Sequence, residues 1–268
     1  MKESAAAADR ARGRIALDLF GGAGRVANRW AAKGYGALTI DLWNGDGYDL
    51  LDAAIQNAVL GYIRARRVTA VCAAPPCGSW SRARRGPADG SGPPPPIRST
   101  SRPLGLPDIL LRPADAQKVR EGNAVMRFLV KLVDACLSAG TPLIIENPRS
   151  SILWHAGPLR RALAHWRVGF VDCDQCQYGA AWMKATRLAA VGVPPTCMDK
   201  LSLRCQGRRI CSATGCPHFR LSGLDEDGKR FRTSHAQTYP HRFATTIADA
   251  LASAFEQRSL LRLHQACG

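Results

Sequence analysis

The feature that most constrains the fold is an alternation of short apolar runs with glycine turns and helical stretches. Residues 15–20 form an apolar run, a glycine turn follows, and residues 25–33 are typical of a helix. A second apolar run at 37–40, a helical stretch at 52–66 and a third apolar run at 68–74 continue this order. A β-α-β-α-β order predicts a parallel sheet covered by helices, because parallel neighbours need a crossover connection.

The remainder of the chain is less regular in composition. Consecutive prolines at 93–96 and several glycines predict a long basic loop without regular structure at 75–115. Further expected elements are a helix at 116–138, strands at 143–146, 168–173 and 187–193, of which the last two can be antiparallel, and a final helix at 243–263. The expected domains are a flexible N-terminus at 1–14, an α/β core at 15–193, a small cysteine-rich insertion at 194–233 and a C-terminal helix packed on the core at 234–268.

The turn after the first apolar run carries an acidic residue among glycines. Asp18 precedes Gly22 and Gly24, and Asp41 follows the second run. Glycines let the backbone approach a ligand, and a carboxylate after the second strand can accept hydrogen bonds from ribose hydroxyls. A dinucleotide fits the same pattern, but Gly-x-Gly-x-x-Gly is absent and Asp18 would repel a pyrophosphate. The negative charge suits the cationic methionine moiety of S-adenosylmethionine instead.

Two more acidic residues follow the second run. Either Asp49 or Asp52 could reach the amino group of an adenine, although we expect Asp52 to cap the next helix.

A cysteine and a glutamate follow neighbouring core strands. The third strand leads into Pro75-Pro76-Cys77, and the next core strand ends in Glu146-Asn147-Pro148. Ligands of doubly wound sheets bind beyond the carboxyl ends of the strands, so both segments should lie near the glycine turn. Alone, Cys77 could be a small tolerated residue and Glu146 a cap. Together they suit methylation of cytosine, in which a thiolate adding at carbon 6 makes carbon 5 nucleophilic and a carboxyl group assists at N3.

These motifs resemble those of the cytosine-5 DNA methyltransferases. Residues 18–24 match the family's first motif, Pro76-Cys77 its nucleophile motif and Glu146-Asn147-Pro148 the motif that usually ends in valine. A compact phage- and mobile-element-type branch is more similar still. Its signatures match Pro75 to Ser81, Cys176 to Gly179 with Lys184 and Thr186, and Tyr239-Pro240, in scattered blocks between residues 15 and 255.

The resemblance implies a Rossmann-like S-adenosylmethionine-dependent methyltransferase fold with a mostly parallel, doubly wound sheet, acting on carbon 5 of cytosine in DNA. The implied catalytic residues are Cys77 as nucleophile, Glu146 as N3 partner, and Asn147. The residues implied around the methyl donor are Asp18, Phe20, Gly22, Gly24, Asp41, Asp49 and Pro76. The family's Gln-x-Arg-x-Arg motif, which supports the base, is not reproduced, and its nearest counterparts are Gln177, Lys184 and Arg187.

The charge of the chain favours a polyanionic partner. Lysine and arginine total 37 against 21 acidic residues, a net charge of +16. In the family, the loop after the nucleophile closes over a flipped-out base, and its arginines can hold the flanking phosphates; the alternative is a disordered basic linker. The residues assigned to nucleic acid are Ser79, Ser81, Arg82, Arg84, Arg85, Arg98, Gln177, Lys184 and Arg187. Trp80 and Trp182 could stack on bases, but core packing is commoner.

The cysteines favour metal binding over disulfides. The chain has ten of them but no signal-peptide pattern and no apolar run long enough to span a membrane, so we expect a reducing, intracellular compartment. This is the cytoplasm of a prokaryotic or phage-host cell, or a nucleus. Apart from the pair Cys173 and Cys176, the candidate ligands of a tetrahedral Zn²⁺ are Cys197, Cys205, Cys211, Cys216 and His218. Their irregular spacing leaves plain thiols as the alternative.

Other functions stay open. A non-catalytic nucleic-acid-binding relative would explain the altered Gln-x-Arg-x-Arg region, and the same chemistry could act on RNA, although DNA is favoured. A nicotinamide-dependent oxidoreductase is disfavoured by Asp18. The short insertion at 194–233 predicts a short or loosely specified target, and we expect a monomer.

Overall fold

A computed structural model describes residues 13–87, 93–228 and 230–266, with side chains described as far as residue 260. Its centre is a six-stranded sheet. The strands are β1 Ile15–Leu19, β2 Gly36–Ile40, β3 Val68–Ala73, β4 Leu143–Pro148, β5 Val168–Asp174 and β6 Ala185–Val191. The spatial order is β2-β1-β3-β4-β6-β5. The first four of these strands pair in parallel, and β6 runs antiparallel to both β4 and β5. The predicted Rossmann-like, mostly parallel α/β fold is confirmed.

Helices cover both faces of the sheet. They are α1 Arg25–Ala32, α2 Ala53–Arg64, α3 Pro113–Ala139, α4 Gly157–Ala162, α5 Pro195–Met198 and α6 His241–Ala266. Leu17 and Leu19 of β1 pack on the side of α2, α3 and α4, whereas Ala16 packs on the side of α1 and α6. Successive side chains of a strand point to opposite faces, so burial on both faces explains the continuous apolar runs in the sequence. Within the described residues, no helix is both long enough and apolar enough to cross a lipid bilayer.

The loop before α3 differs from its prediction. It contains short 3-10 turns at Gly78–Trp80 and Asp108–Leu110, and α3 begins at Pro113. Trp80 and Ile97 are almost fully buried, so the described part of the loop packs on the core. Residues 88–92 of the loop, and most of the predicted flexible N-terminus, lie outside the described residues.

Glycine allows the first turn to lie close to its neighbours. Gly24 precedes α1 with a φ of +64°, a conformation that L side chains rarely adopt. A Cβ atom at Gly24 would lie 2.7 Å from the hydroxyl oxygen of Thr39 in β2, and a Cβ at Gly21 would lie 2.5 Å from Cγ of Asp18. The turn can therefore fold over the ends of β1 and β2 only because these residues lack side chains.

Candidate active site and cysteine cluster

Asp18 lies at the end of β1 with only 1 % of its surface exposed. Its Oδ2 accepts a hydrogen bond from the backbone N–H of Ala27 at 3.1 Å, and its buried Oδ1 has no hydrogen-bond partner among the described residues. Burial raises the pKa of Asp18 to about 6, although backbone hydrogen bonds lower it. A cation beside Oδ1 would stabilise the ionised carboxylate, so the site suits a positively charged ligand.

Asp41 joins the glycine turn to the end of β2. Its Oδ2 accepts a hydrogen bond from the N–H of Gly22 at 2.8 Å, and its Oδ1 accepts one from the N–H of Trp43 at 2.9 Å. Carboxylate oxygens can accept further hydrogen bonds, so a role in binding a ribose remains compatible with these contacts.

Trp43 was not predicted from the sequence. The residue is 69 % exposed, and its ring lies against the glycine turn, 3.9 Å from the position of a Cβ at Gly22. An exposed aromatic face beside the turn can stack on a purine. In the sequence, the available signal was that Trp43 lies two residues after Asp41. This position becomes informative only when the structure shows that the ring lies beside the glycine turn.

The other predicted donor-site residues have varied surroundings. Phe20 has a φ of +55° and makes an edge-to-face contact with Phe128, and Pro76 is exposed beside Cys77. Asp49 is half-buried and accepts a hydrogen bond from the N–H of Leu51. Asp52 caps α2 through the N–H of Ala54, as expected.

Cys77 is half-buried in the turn that follows β3. Asn147 fixes this turn to β4, because its Nδ2 donates a hydrogen bond to the carbonyl oxygen of Pro75 at 2.9 Å. No atom lies within 4 Å of a Cβ placed on Gly78, so the chain is open on that side. Burial raises the pKa of the Cys77 thiol, the positive charge of Lys184 lowers it and the negative charge of Glu146 raises it. The thiol therefore lies within the electrostatic reach of both side chains.

Glu146 is held from two sides at the end of β4. The hydroxyl of Tyr239 donates to its Oε2 at 3.0 Å, and Nζ of Lys184 lies 3.6 Å from its Oε1. Lys184 also donates to the carbonyl oxygen of Ala236 at 3.3 Å. Glu146 is only 4 % exposed, and its Oε1 has no hydrogen-bond partner among the described residues.

The negative charges of Asp18 and Glu146 raise the pKa values of the same two buried groups, Cys72 and Tyr239. Asp18 is the register partner of Cys72 in β3. Burial raises the pKa of Cys72 well above its usual value, and the charges of Asp18 and Glu146 raise it further. The same two carboxylates raise the pKa of Tyr239, which burial already raises, so the phenol stays protonated and can donate to Glu146. We call Asp18, Cys77, Glu146 and Lys184 the catalytic edge.

Arg98 was predicted to contact nucleic acid, but the structure buries it. Its guanidinium lies 3.6 Å from the centre of the Trp80 ring and donates to the carbonyl oxygens of Pro103 and Val119 and to Asn123. It is 3 % exposed, and burial lowers its pKa to about 10. The prediction that Arg98 holds a phosphate is therefore wrong; this residue fixes the loop to the core.

Three other loop residues assigned to nucleic acid are also engaged within the protein. Arg84 forms an ion pair with the buried Asp115 at 2.7 Å. Ser79 Oγ lies 3.4 Å from Arg98, and Ser81 accepts a hydrogen bond from the N–H of Ala83. By contrast, Arg82 and Arg85 are exposed close to Cys77 in the chain.

Only one of the three counterparts of the Gln-x-Arg-x-Arg motif reaches the catalytic edge. Arg187 forms a two-pronged ion pair with Asp172 of β5, at 2.7 and 2.9 Å. Gln177 contacts the sulfur atoms of Cys176 and Cys211. Lys184 alone lies beside Glu146.

A second group of chemically reactive side chains lies on the other side of β6. We call Cys176, Cys205, Cys211 and His218 the cysteine cluster, because one ligand atom from each lies within 4.8 Å of all the others. This set corrects the predicted one. Cys197 lies in α5 and packs on the α6 side of the core, and Cys216 is exposed with its sulfur facing the carbonyl oxygen of Thr214.

Cys176 was missed as a member of this cluster because it lies outside the cysteine-rich insertion. It follows β5 in a 3-10 turn spanning Gln175–Tyr178, whereas the other three members come from the insertion. Its membership of a Cys-x-x-Cys pair was a signal, but its partner Cys173 is buried in β5 and takes no part.

Comparisons with known proteins find little similarity. No protein-family model and no curated protein matches this sequence. Among solved structures, the crystal structure of a mutant of Spodoptera frugiperda DNMT2 is similar over 66 % of this chain and 49 % of that chain, with 9 % identity and a TM-score of 0.34. The chain thus spans about half the length of that protein. Similarity at this level identifies no family.

Proposed function

We propose that this protein is an S-adenosylmethionine-dependent methyltransferase that modifies carbon 5 of cytosine in nucleic acid, DNA in preference to RNA, through a covalent bond to Cys77. The observation that carries the proposal is the catalytic edge itself. Asn147, the neighbour of Glu146, holds the turn that carries Cys77 through the carbonyl oxygen of Pro75 at 2.9 Å, and Lys184 lies 3.6 Å from Glu146. Asp18 pairs in register with Cys72 of β3, the strand that leads to Cys77. One edge of the sheet thus combines a nucleophile, a carboxyl group and a second carboxylate suited to a cation.

The glycine turn would hold the methyl donor. Asp18 offers an unpartnered, buried oxygen to a positive charge, Asp41 offers acceptors for ribose hydroxyls, and the exposed ring of Trp43 offers a face for adenine. When bound, S-adenosylmethionine supplies a methyl group on a positively charged sulfur.

The residues after β3 and β4 would activate the cytosine. Cys77 gives its proton to solvent, and Lys184 favours the resulting thiolate. The sulfur then forms a bond to carbon 6, while N3 takes up a proton at Glu146, which makes carbon 5 nucleophilic. Carbon 5 would then bond to the methyl group as the bond from that group to the donor sulfur breaks, and the electron pair would stay on that sulfur. The proton of carbon 5 would leave to water, the N3 proton would return to Glu146 and the bond from the Cys77 sulfur to carbon 6 would break. These last changes restore the ring and the Cys77 thiolate.

Tyr239 and Asn147 would position this machinery. Tyr239 donates to Oε2 of Glu146 and so leaves Oε1 to face the base, whereas Asn147 holds the turn that carries Cys77. Neither side chain needs to gain or lose a proton. Both are therefore positioning residues.

Nucleic acid is the substrate that the charge supports. The net charge is +16, and Arg82 and Arg85 extend into solvent just after Cys77. Arg84 and Arg98 fix the loop to the core. Arg82 and Arg85 therefore extend from a loop that is anchored to the protein. The preference for DNA comes from the sequence resemblance, and parallel assays with DNA and RNA of one sequence would test it.

The decisive experiment traps the covalent bond. A duplex in which 5-fluorocytosine replaces cytosine is incubated with the protein and S-adenosylmethionine, because fluorine at carbon 5 cannot leave as a proton does. We expect a protein–DNA adduct that survives denaturation, with the linkage mapped to Cys77 by peptide mass spectrometry. A protein that binds both DNA and donor but forms no adduct, and transfers no labelled methyl group to cytosine, would refute the proposal.

A non-catalytic nucleic-acid-binding protein is the second candidate. The observation that favours it is the engagement of Gln177 and Arg187 away from the catalytic edge, which leaves Lys184 alone to support the base. This candidate predicts DNA binding without an adduct, so the same trapping experiment separates the two functions.

A further inference from the structure

We propose that the cysteine cluster binds one structural Zn²⁺ ion, which fastens the segment 203–219 to the turn that follows β5. Three sulfur atoms and one imidazole nitrogen lie within 4.8 Å of one another. A tetrahedral site with zinc–sulfur bonds of about 2.3 Å requires sulfur atoms about 3.8 Å apart, so only a small contraction is needed. Four protein ligands leave no position open for substrate, which is the arrangement of a structural rather than a catalytic zinc.

The orientation of His218 supports metal binding. Its Nδ1 lies 3.3 Å from the carbonyl oxygen of Arg208, and its Nε2 lies 3.7 Å from the sulfur of Cys205. An imidazole that donates one N–H to a backbone carbonyl keeps a lone pair on the other nitrogen, as in most zinc-bound histidines. Nε2, the atom with this lone pair, faces the three sulfur atoms.

Hydrogen-bond donors surround the sulfur atoms. The backbone N–H and the hydroxyl of Ser212 lie 3.4 and 3.5 Å from the sulfur of Cys205. The side-chain amide of Gln177 lies 3.6 Å from the sulfur of Cys176 and 3.7 Å from that of Cys211. Such donors stabilise thiolates bound to a metal. Gln177, which has no part in the proposed methyltransferase chemistry, thus has a role at the cysteine cluster.

Hydrogen bonds fix the two ends of the segment, since Arg204 and the N–H of Cys205 donate to Asp174 and the N–H of Phe219 donates to Ala181, but little apolar packing holds the rest. Its larger apolar side chains, Leu203, Ile210 and Phe219, are exposed, and between residues 202 and 220 only Cys211 is buried. Its internal pairing includes a single bridge between Ile210 and Pro217. A segment this short cannot bury enough apolar surface to fold alone, and metal binding can supply the missing free energy. Because Cys176 belongs to the core, the ion would join core and segment.

Elemental analysis of the whole protein tests the proposal. The protein is purified under reducing conditions, without chelator or metal-affinity resin, from medium containing zinc and iron. We expect about one zinc per chain, and X-ray absorption should show three sulfur neighbours at about 2.3 Å and one nitrogen at about 2.0 Å. Cys205→Ser and His218→Ala should each reduce the zinc content at least about fivefold, because each removes one of four ligands.

Two cysteines outside the cluster provide matched controls. Cys197→Ser and Cys216→Ser should retain the zinc of the wild type, since neither sulfur belongs to the cluster. Reduced wild-type protein without zinc, a stoichiometric metal other than zinc, or equal losses in the control variants would overturn the proposal.

A measurement on the wild type guards against variants that fail to fold. Removal of zinc with a chelator should speed proteolytic cleavage within 203–219, and added Zn²⁺, but not Mg²⁺, should reverse this. Cleavage at an unchanged rate would mean that the ion does not hold the segment. Neither metal content nor cleavage depends on methyl transfer, so failure of this proposal is distinguishable from failure of the proposed function.

Discussion

The catalytic edge takes Asp18, Cys77 and Glu146 from the carboxyl ends of three parallel core strands or the turns that follow them, whereas the cysteine cluster joins one core turn to a segment without a core of its own. At the catalytic edge, buried apolar strands hold each side chain in place, and hydrogen bonds such as that from Asn147 to Pro75 refine the position. In the cysteine cluster, three of the four members lie in a segment with almost no buried side chains. The first site should therefore keep its geometry without a ligand, and the second should need its metal.

The two sites should also differ in how they affect the stability of the free protein. Buried oxygens that have no hydrogen-bond partner among the described residues, such as Oδ1 of Asp18 and Oε1 of Glu146, cost stability in the free protein, and a ligand can satisfy them. If the two sites are independent, a change in one of them should leave the other intact.

Cys77→Ser should reduce methyl transfer to cytosine by at least about 10⁴-fold, because a hydroxyl cannot replace a thiolate as the attacking group. Donor affinity, measured by calorimetry, should stay within about twofold of the wild type, since Cys77 is not among the residues assigned to the donor and serine is close to cysteine in size. Cys216→Ser, which alters an exposed thiol outside both sites, is the matched control and should retain activity. Substantial turnover by Cys77→Ser would contradict the role of this residue.

Lys184→Gln should slow methyl transfer by about 10- to 100-fold near neutral pH, because the positive charge that lowers the pKa of Cys77 is lost. The direct measurement is the pH dependence of Cys77 alkylation, with Cys77→Ser protein as the background. The midpoint should move to higher pH in Lys184→Gln and remain in Lys184→Arg. An unchanged midpoint would show that Lys184 acts in another way.

Donor binding should weaken as the pH falls through about 6, the pKa to which burial raises Asp18. Below this pH the carboxyl group is neutral and no longer attracts a cation, so affinity for S-adenosylmethionine should fall about tenfold between pH 7 and pH 5. S-adenosylhomocysteine, whose sulfur is uncharged, is the matched ligand and should lose much less. Equal losses for both ligands would remove the charge argument for Asp18.

The carboxyl group of Asp18 should make the stability of the free protein depend on pH in the opposite direction to donor binding. Its folded pKa lies above the ordinary value of 3.8, so the stability of the free protein should fall as the pH rises from 3.8 to about 6. Asp18→Asn keeps an acceptor for the N–H of Ala27 and should raise the free energy of unfolding at pH 7 by about 1–3 kcal/mol while weakening donor binding. Denaturant titration of both proteins at pH 4 and pH 7 would measure this, and a variant less stable than the wild type at pH 7 would contradict it.

Cys205→Ser should have the smallest effect on the donor site, with affinity for S-adenosylmethionine within about twofold of the wild type, because the two sites lie at opposite ends of the strand order. The same variant should lose protection of the segment 203–219 from proteases. A large loss of donor affinity would show that the two regions are coupled after all.

Much of the fold could be predicted from the sequence because its signals are local. The apolar runs, the glycine turn and the acidic residue after β2 indicated the sheet edge correctly, and Asp52 caps α2 as its position suggested. Residues whose partners are distant in the chain could not be predicted in the same way. Arg98 belongs to a basic loop by composition, yet Trp80, Asn123 and the carbonyl oxygen of Val119 bury it, and two of these three belong to α3.

The sequence by itself determined the order of strands and helices and the chemical types at the ends of β1, β3 and β4, because each depends on neighbours along the chain. Only the tertiary structure decided that Lys184 and Tyr239 meet Glu146, and that Cys176 rather than Cys197 or Cys216 completes the cysteine cluster. These contacts join residues that are far apart in the chain. Their distances follow from how the strands pair and where α6 packs, and no local pattern encodes them.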